Sequence, residues 1–285
     1  MNEWIYLKLY AGDYADRLDH LVCETVPRAV AAAPHRRWFF LRYYDEHGAH
    51  VRLRFDTDRP AETIAALSPL CLEGVQQLAT VPVSDYRPLI ATAPDGEPVE
   101  RRVGVMRDVY EPELDKFGGV AGMPIAEAVF HASSELALEV LCAERDGAYS
   151  RKSVVADLMA AAVAAFPPAQ DAAQFWRGFA AYWLGGDTEW AKDWRRRFVA
   201  KRRDLEARAY RVTGATPAAA SSIVERWRDA LAAASAAYRR AVPDASTSLL
   251  AAQFVHLMNN RLGLTTIEEA YLATLLEPEQ DRTAA

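Results

Sequence analysis

The chain has 285 residues, of which 51% are hydrophobic and 25% are charged, and its formal net charge is −6 at pH 7. These values are typical of a globular protein with a large core, and the acidic balance argues against a protein that binds nucleic acid directly. The sequence opens on a strand-like segment rather than a signal peptide, and no apolar run reaches membrane-spanning length. We therefore expect a soluble cytoplasmic protein that makes no membrane contact. The scattered cysteines, Cys23, Cys71 and Cys142, fit small buried residues better than a disulfide framework or a zinc site.

Hydrophobic patterns in the first half of the chain predict the order β-α-β-β-α-β. The predicted elements are a strand at 4–10, a helix at 16–33, strands at 37–43 and 49–55, a helix at 61–79 and extended segments within 81–110. In the first strand, Ile5, Leu7 and Leu9 alternate with polar and aromatic residues, which predicts one buried face. This order is typical of a ferredoxin-like sandwich, in which helices pack on an antiparallel sheet.

The second half of the chain has helical spacing throughout. The predicted helices span 125–144, 152–165, 169–183, 188–209, 218–242, 246–262 and 266–276. We therefore predict an α+β protein with an N-terminal ferredoxin-like antiparallel sheet and a largely α-helical C-terminal half packed against it. The predicted division is 1–122 for the sheet portion and 123–285 for the helical portion, within one continuous domain.

The segment 101–127 mixes charges, aromatic residues and glycines before an apolar helix. Its Gly-Gly pair and the following Pro124 predict a tight turn at the start of that helix. Glu113 and Lys116 are three residues apart and could simply form an ion pair in one helical turn. Alternatively, they could join other charges in a pocket for an amino-acid-like group, with Tyr110 beside them.

The strand at 50–55 places His50, Arg52 and Arg54 on one face, because strand side chains alternate with period two. Three such groups would repel one another unless carboxylates or a bound anion lay among them. One interpretation is a solvated face paired with Asp and Glu residues. The other is a pocket for a carboxylate or a phosphate, because guanidinium groups bind planar anions through two hydrogen bonds.

Two helices carry further polar candidates. His131 and Ser134 interrupt an otherwise apolar helix, where a serine could restart the helix as a cap or could serve a site. His256 and Asn260 are four residues apart and so share one face of a later helix. A single histidine on an apolar helix is often a core residue, but this grouping also suits general acid–base chemistry.

The sequence lacks metal-ligand spacing, a phosphate-binding glycine loop and a serine nucleophile elbow. We therefore expect no metal and no cofactor.

Five segments, taken in chain order, resemble one protein family. They are WIYLKLY, RRWFFLRYYDEHGAHVRLRF, YEPELDKFGG, AEAVFHASSELAL and HLMNNRLG. Together they resemble the stand-alone thiopeptide-type bacteriocin biosynthesis proteins, which are related to the C-terminal glutamate-elimination domain of class I lanthipeptide (LanB-type) dehydratases. The resemblance covers most of the chain and is least specific over 152–242.

The resemblance implies a lyase. A separate protein uses glutamyl-tRNA to glutamylate Ser or Thr of a ribosomally made precursor peptide that carries a leader. The elimination protein then expels glutamate and leaves dehydroalanine or dehydrobutyrine. The catalytic residues implied are His256, Arg54 and Lys116. The substrate-binding residues implied are Arg52, His50, Glu113, Tyr110, His131, Ser134 and Asn260. In this scheme His256 transfers the proton, the arginines hold carboxylate or carbonyl oxygens, and Glu113 contacts the glutamyl ammonium group or orients an arginine.

One departure keeps other functions open. Lys116 stands where elimination members of the family usually have arginine, and a lysine lacks the two-pronged geometry of a guanidinium group. The same scaffold serves thiopeptide pyridine synthases, which join two dehydroalanines in a formal aza-[4+2] cycloaddition and release the leader. A third alternative is a non-catalytic protein that binds the precursor for the glutamylating partner. Self-association into a homodimer is left open.

Overall fold

The computed structural model describes residues 3–12, 15–82, 102–186, 188–207, 213–214 and 216–278. The chain divides into two compact units. Unit 1 comprises Met1–Pro112 with Phe130–Cys142, and unit 2 comprises Glu113–Val129 with Ala143–Ala285. The sequence-based division after residue 122 stays a prediction.

Unit 1 is built on an antiparallel sheet. Its elements are β1 (Glu3–Gly12), α1 (Ala15–His20), a π-helical turn (Leu21–Thr25), α2 (Val26–Ala32), β2 (Arg37–Asp45), β3 (Gly48–Thr57), α3 (Pro60–Gln77) and β4 (Val103–Asp108). Within the described residues, the strands form one sheet in the order β2-β3-β1-β4. This is the ferredoxin-like arrangement, so the predicted fold class is confirmed. Of the extended segments predicted within 81–110, those at 83–101 lie outside the described residues.

The two faces of β1 depart from the prediction of a single buried face. Ile5, Leu7 and Leu9 are buried as expected, on the face that α3 covers. Tyr6 and Tyr10, on the opposite face, are buried as well. Alternation in sequence detects only the aliphatic face, because tyrosine rings and long cationic side chains can cover a second face while counting as polar.

A long helix, α4 (Gly119–Arg145), begins in unit 2 and runs through unit 1. It starts six residues earlier than predicted, and Pro124 lies inside it rather than opening it. Gly118 and Gly119 have φ of +77° and +72°, a left-handed conformation that glycine adopts without strain, so the predicted tight turn is confirmed. The helix also runs unbroken through Ser133 and Ser134, so neither serine restarts it.

Within unit 1, α4 contacts the outer edge of β2. The Ser134 hydroxyl accepts a hydrogen bond from the Phe40 amide at 3.1 Å and donates to the Phe130 carbonyl at 2.7 Å. The His131 Nδ1 atom lies 3.0 Å from the Trp38 carbonyl oxygen and 3.4 Å from the Trp38 amide nitrogen. The helix therefore supplies partners to a strand edge that would otherwise carry unpaired backbone groups.

Unit 2 is helical, as predicted. Besides the ends of α4, its helices are α5 (Val155–Ala165), α6 (Ala172–Trp183), α7 (Glu189–Ala207), α8 (Ser221–Ala241), α9 (Thr247–Leu262) and α10 (Thr266–Leu276). Helix α5 packs on α8 and α9, and α6 packs on α10. Thr265 and Glu268 form a capping box, which fixes the start of α10. Within the described residues, no helix combines the length and the apolar character needed to cross a bilayer.

Candidate functional site

The predicted site residues fall into groups in both units, and each group is described within its own unit. In unit 1, the pairing of β3 with β1 confirms that His50, Arg52 and Arg54 share one face of the sheet. Directly opposite them on β1 lie Tyr10, Lys8 and Tyr6. We call the surface formed by these six residues the charged face.

Arg54 occupies an aromatic cage on the charged face. Its guanidinium carbon lies 4.2 Å from the ring centroid of Tyr6, 5.1 Å from that of Tyr110 and 5.2 Å from that of Phe39. Only 6% of Arg54 is exposed. Cation–π attraction compensates part of the cost of removing the guanidinium group from water. Tyr110 thus lies against one of the strand arginines, and a role for either residue toward substrate stays a prediction.

Arg52 is held differently. Its guanidinium carbon lies 3.3 Å from the centroid of the Tyr43 ring, and its Nε atom is buried without a hydrogen-bond partner in the described chain. The nearby Lys8 is paired with Asp108 at 2.8 Å and with Asp45 at 3.5 Å. Arg52 forms no ion pair with any described residue. It is therefore a cation on the charged face whose Nε–H group has no acceptor among the described residues.

His50 is fully buried. Its Nδ1 atom donates to the Gly48 carbonyl at 3.1 Å, and its ring lies 4.6 Å from the Tyr10 ring and 5.8 Å from the Tyr43 ring. Burial is the main cause that lowers the pKa of His50 to about 4, so the ring is neutral at physiological pH. Only two of the three grouped side chains are therefore charged, which lessens the expected repulsion.

His131 and Ser134 also lie in unit 1, where their side chains bind the edge of β2 as described above. A role for either residue toward substrate stays a prediction.

In unit 2, Glu113 precedes a short 3-10 turn (Leu114–Lys116), and Lys116 is the last residue of that turn. The Lys116 Nζ atom lies 2.7 Å from the Glu113 Oε1 atom, so the simple ion-pair interpretation is confirmed. Both side chains are exposed, and Lys116 also lines a cavity of about 280 Å³ with Asp115, Asp244 and the start of α9. Solvent screening weakens an ion pair of this kind, so Lys116 can change partners at low cost.

His256 on α9 pairs with a residue that the sequence interpretation did not select. Its Nδ1 atom lies 2.9 Å from the Oε1 atom of Glu269 on α10. The Glu269 side chain is 1% exposed, whereas the His256 side chain is 25% exposed. Burial raises the pKa of Glu269, and its hydrogen bonds to His256 and Asn259 oppose that shift. We call this arrangement the His256–Glu269 pair.

The side-chain amide that contacts Glu269 belongs to Asn259, the neighbour of the predicted residue Asn260. Asn259 is fully buried and donates through Nδ2 to the Glu269 Oε2 atom at 3.3 Å. The backbone carbonyl oxygen of Asn260 accepts a hydrogen bond from the Gly263 amide where α9 ends. A role of the Asn260 side chain toward substrate stays a prediction.

Sequence reasoning misses Glu269 because Glu268 and Glu269 both stand in the first turn of α10, where acidic residues are expected as capping residues. Only Glu268 caps the helix. The Glu269 side chain is buried instead. The one signal for this in the sequence is an acidic residue directly after Glu268, which already completes the capping box.

The His256–Glu269 pair has the geometry of a general base. The carboxylate accepts a hydrogen bond from the Nδ1–H group, which leaves the Nε2 atom with the lone pair. A carboxylate in this position orients the imidazole and stabilises the imidazolium ion that forms when Nε2 takes a proton. Among the residues that the structure describes, no three His, Cys, Asp or Glu side chains group as metal ligands would.

Comparison with known families identifies the scaffold. The family described as "Lantibiotic biosynthesis dehydratase C-term" matches residues 4–278. The chain belongs to this lantibiotic dehydratase C-terminal family. The resemblance inferred from the five sequence segments is thereby confirmed. No curated protein matches the chain.

Solved structures of similar fold include three proteins. The tRNA-dependent lantibiotic dehydratase MibB from Microbispora sp. 107891 is 24% identical with a TM-score of 0.65, and the match covers 96% of this chain but 27% of MibB. The pyridine synthase TbtD from thiomuracin biosynthesis is 18% identical with a TM-score of 0.66, and the match covers 96% of both chains. TsrL is 17% identical with a TM-score of 0.60, and the match covers 97% of this chain and 93% of TsrL. The chain thus spans about a quarter of MibB, and these likenesses establish the fold that the family shares.

Proposed function

We propose that this protein eliminates glutamate from glutamylated Ser or Thr residues of a ribosomally made precursor peptide. In this reaction a base removes the Cα proton, the Cβ–O bond breaks, and glutamate leaves as a carboxylate while the Cα=Cβ bond forms. The products are free glutamate and a dehydroalanine or dehydrobutyrine residue. A separate protein that uses glutamyl-tRNA would supply the glutamylated peptide.

The observation that carries this proposal is the His256–Glu269 pair. Elimination begins with removal of a weakly acidic Cα proton, so it needs a base whose conjugate acid is stabilised. The buried Glu269 carboxylate provides that stabilisation at Nδ1, and the partly exposed imidazole presents Nε2 to a substrate. Lys116 would supply a further charge for a carbonyl or carboxylate oxygen, because its bond to Glu113 is exposed and exchangeable.

The charged face favours elimination over cycloaddition. A glutamyl ester brings a free carboxylate, whereas two dehydroalanines bring no charge for a cation to bind. Arg52 has a buried Nε–H group without an acceptor and forms no ion pair within the described chain. Such a group suits a carboxylate, because charge-assisted hydrogen bonds are stronger than neutral ones. We assign Arg52 the binding of a carboxylate.

The decisive experiment is mass spectrometry of a glutamylated precursor peptide incubated with the purified protein alone. We expect loss of the glutamyl group, appearance of a dehydrated residue and release of free glutamate. The His256→Asn variant should bind the same peptide and release glutamate about 1,000-fold more slowly, which separates an enzyme from a peptide-binding adaptor.

Two other outcomes would replace the proposal. An unchanged glutamyl peptide, together with conversion of a multiply dehydrated peptide into a macrocycle and free leader, would make the protein a pyridine synthase. Peptide binding without conversion of either substrate would make it an adaptor for the glutamylating partner.

A further inference from the structure

The aromatic end of α6 adds a feature to the His256–Glu269 pair that the sequence resemblance does not cover. The indole ring of Trp183, the last residue of α6, lies 4.3 Å from the His256 imidazole, measured between ring centroids, with an interplanar angle of 33°. This geometry places one face of the imidazole against the indole face, while Glu269 holds the ring through Nδ1.

Neighbouring rings fix the indole in turn. Tyr182 lies edge-on to Trp183 at 4.9 Å, and Phe179, one turn earlier, lies edge-on at 6.3 Å. Because α6 also packs on α10, the helix that carries Glu269, both contacts to His256 are set by one packed arrangement of helices. The imidazole therefore has little freedom to rotate away from the direction in which Nε2 points.

We propose that Trp183 is a positioning residue for His256, which holds the imidazole plane and stabilises the positive charge that develops on the ring as Nε2 accepts a proton. The indole has the most negative ring face among the aromatic side chains, so its attraction to an adjacent imidazole increases when that ring becomes cationic. Glu269 supplies the complementary charge in the imidazole plane. The assignment rests on the proposed function for its catalytic meaning, but the ring contact can be tested without substrate.

We assign the effect of Trp183 on His256 to the face of the indole ring rather than to its N–H group. The Nε1 atom of Trp183 is buried and has no hydrogen-bond partner in the described part of the chain. Phenylalanine at this position would therefore keep an aromatic face without breaking a hydrogen bond, whereas leucine would fill space without a ring quadrupole. These two substitutions separate charge stabilisation from packing.

The first test measures acylation of His256 by diethyl pyrocarbonate. A neutral imidazole nitrogen attacks a carbonyl carbon of this reagent and ethyl carbonate leaves, so positive charge develops on the ring in the transition state. Peptide mapping by mass spectrometry gives the rate at His256, with His35 as an internal control. We expect the rate at His256 to fall about tenfold in Trp183→Leu and to stay within about threefold of the parent protein in Trp183→Phe. A Trp183 that only shields the ring would give the opposite sign, since its removal would expose the imidazole and raise the rate.

Trp176→Leu is the matched control, because it makes the same substitution in the same helix. Trp176 is buried against Phe175 and Phe179. We expect Trp176→Leu to lower the melting temperature and to leave acylation of His256 unchanged. An equal fall in both leucine variants would overturn the proposal in favour of a general packing defect, as would an equal fall in Trp183→Phe and Trp183→Leu.

The second test uses glutamate release from the glutamylated peptide. We expect Trp183→Leu to lower kcat about tenfold with KM unchanged, and Trp183→Phe to restore most of the loss. An unaltered kcat in Trp183→Leu would overturn the catalytic role. If the parent protein releases no glutamate, the proposed function fails, and the acylation rates still decide whether Trp183 acts on the charge of His256.

Discussion

His50 in unit 1 and Glu269 in unit 2 are both titratable groups that burial drives toward the neutral form, and they differ in what lies beside them. His50 donates to a backbone carbonyl and is enclosed by tyrosine rings. Glu269 accepts a hydrogen bond from an imidazole that is itself partly exposed. We expect a buried group without a titratable hydrogen-bond partner among the described residues, such as His50, to affect stability rather than proton transfer. A buried group that reaches the surface through a titratable partner can take part in proton transfer, and the predictions below test that distinction from the largest expected effect to the smallest.

Replacing the exposed member of the His256–Glu269 pair should have the largest effect. We expect His256→Asn to lower the rate of glutamate release about 1,000-fold, because general base catalysis contributes effects of this order. Single-turnover kinetics with a glutamylated peptide measures this rate. A loss below about tenfold, with the fold intact by circular dichroism, would assign proton transfer to another residue.

His50 should instead control the dependence of stability on pH. The pKa of His50 is about 4 in the folded protein and about 6.5 when unfolded, so the unfolded state binds a proton first as the pH falls. The contribution of His50 to stability is fully present above pH 6.5. It is lost as the pH falls toward 4, which lowers the free energy of unfolding by as much as about 3 kcal/mol. Urea denaturation of the parent protein and of His50→Phe over this range measures it.

The slope of the free energy of unfolding against pH should be smaller in His50→Phe, whose neutral ring retains the contacts with Tyr10 and Tyr43. Equal slopes in the two proteins would show that His50 protonates freely in the fold.

Glu269 should show the opposite sign and a moderate effect on catalysis. Its raised pKa means that the folded protein retains the proton above the ordinary carboxyl range, so this group lowers stability as the pH rises through its folded pKa. We expect Glu269→Gln to release glutamate about 30-fold more slowly, because a hydrogen bond to a charged group is lost in the transition state. In Glu269→Gln, the part of the decrease in the free energy of unfolding with rising pH that Glu269 causes should be absent. An unchanged rate would leave Glu269 with a structural role alone.

Lys116 should give the smallest effect. Its ion pair with Glu113 is exposed, so we expect Lys116→Met to change the free energy of unfolding by less than ~1 kcal/mol. We expect the same variant to release glutamate about tenfold more slowly, because a charged hydrogen-bond donor is lost. Lys201→Met is a matched control, since Lys201 pairs with Asp204 at the same spacing on α7. A fall in melting temperature well beyond that of Lys201→Met would favour a purely structural ion pair.

Local patterns in the sequence predict most of the fold. Period-two alternation located β1, β2 and β3, and helical spacing located α5 to α10 within a few residues. The shared face of Arg52 and Arg54 and the ion pair of Glu113 with Lys116 also follow from spacing alone. Such features depend on residues within one element, where backbone geometry fixes the relation.

The parts of the site that sequence reasoning missed depend on contacts between elements. Arg54 lies among rings from β1, β2 and the segment after β4, and no spacing within β3 indicates which rings those are. Glu269 is 13 residues from His256, on the next helix, and adjoins a capping residue that explained its charge. Trp183 comes from a third helix. Tertiary packing decides these neighbours, and the sequence does not specify it locally.

The hydrogen bonds from α4 to the edge of β2 have a consequence for recognition of a peptide. A peptide that adds as an extra strand is bound through hydrogen bonds to its backbone, which is the same in every sequence. A backbone group of Trp38 and the Phe40 amide are already engaged by His131 and Ser134, so a precursor cannot bind in this way at those positions. Along this border of the sheet, selection among peptides must depend on their side chains and their modifications.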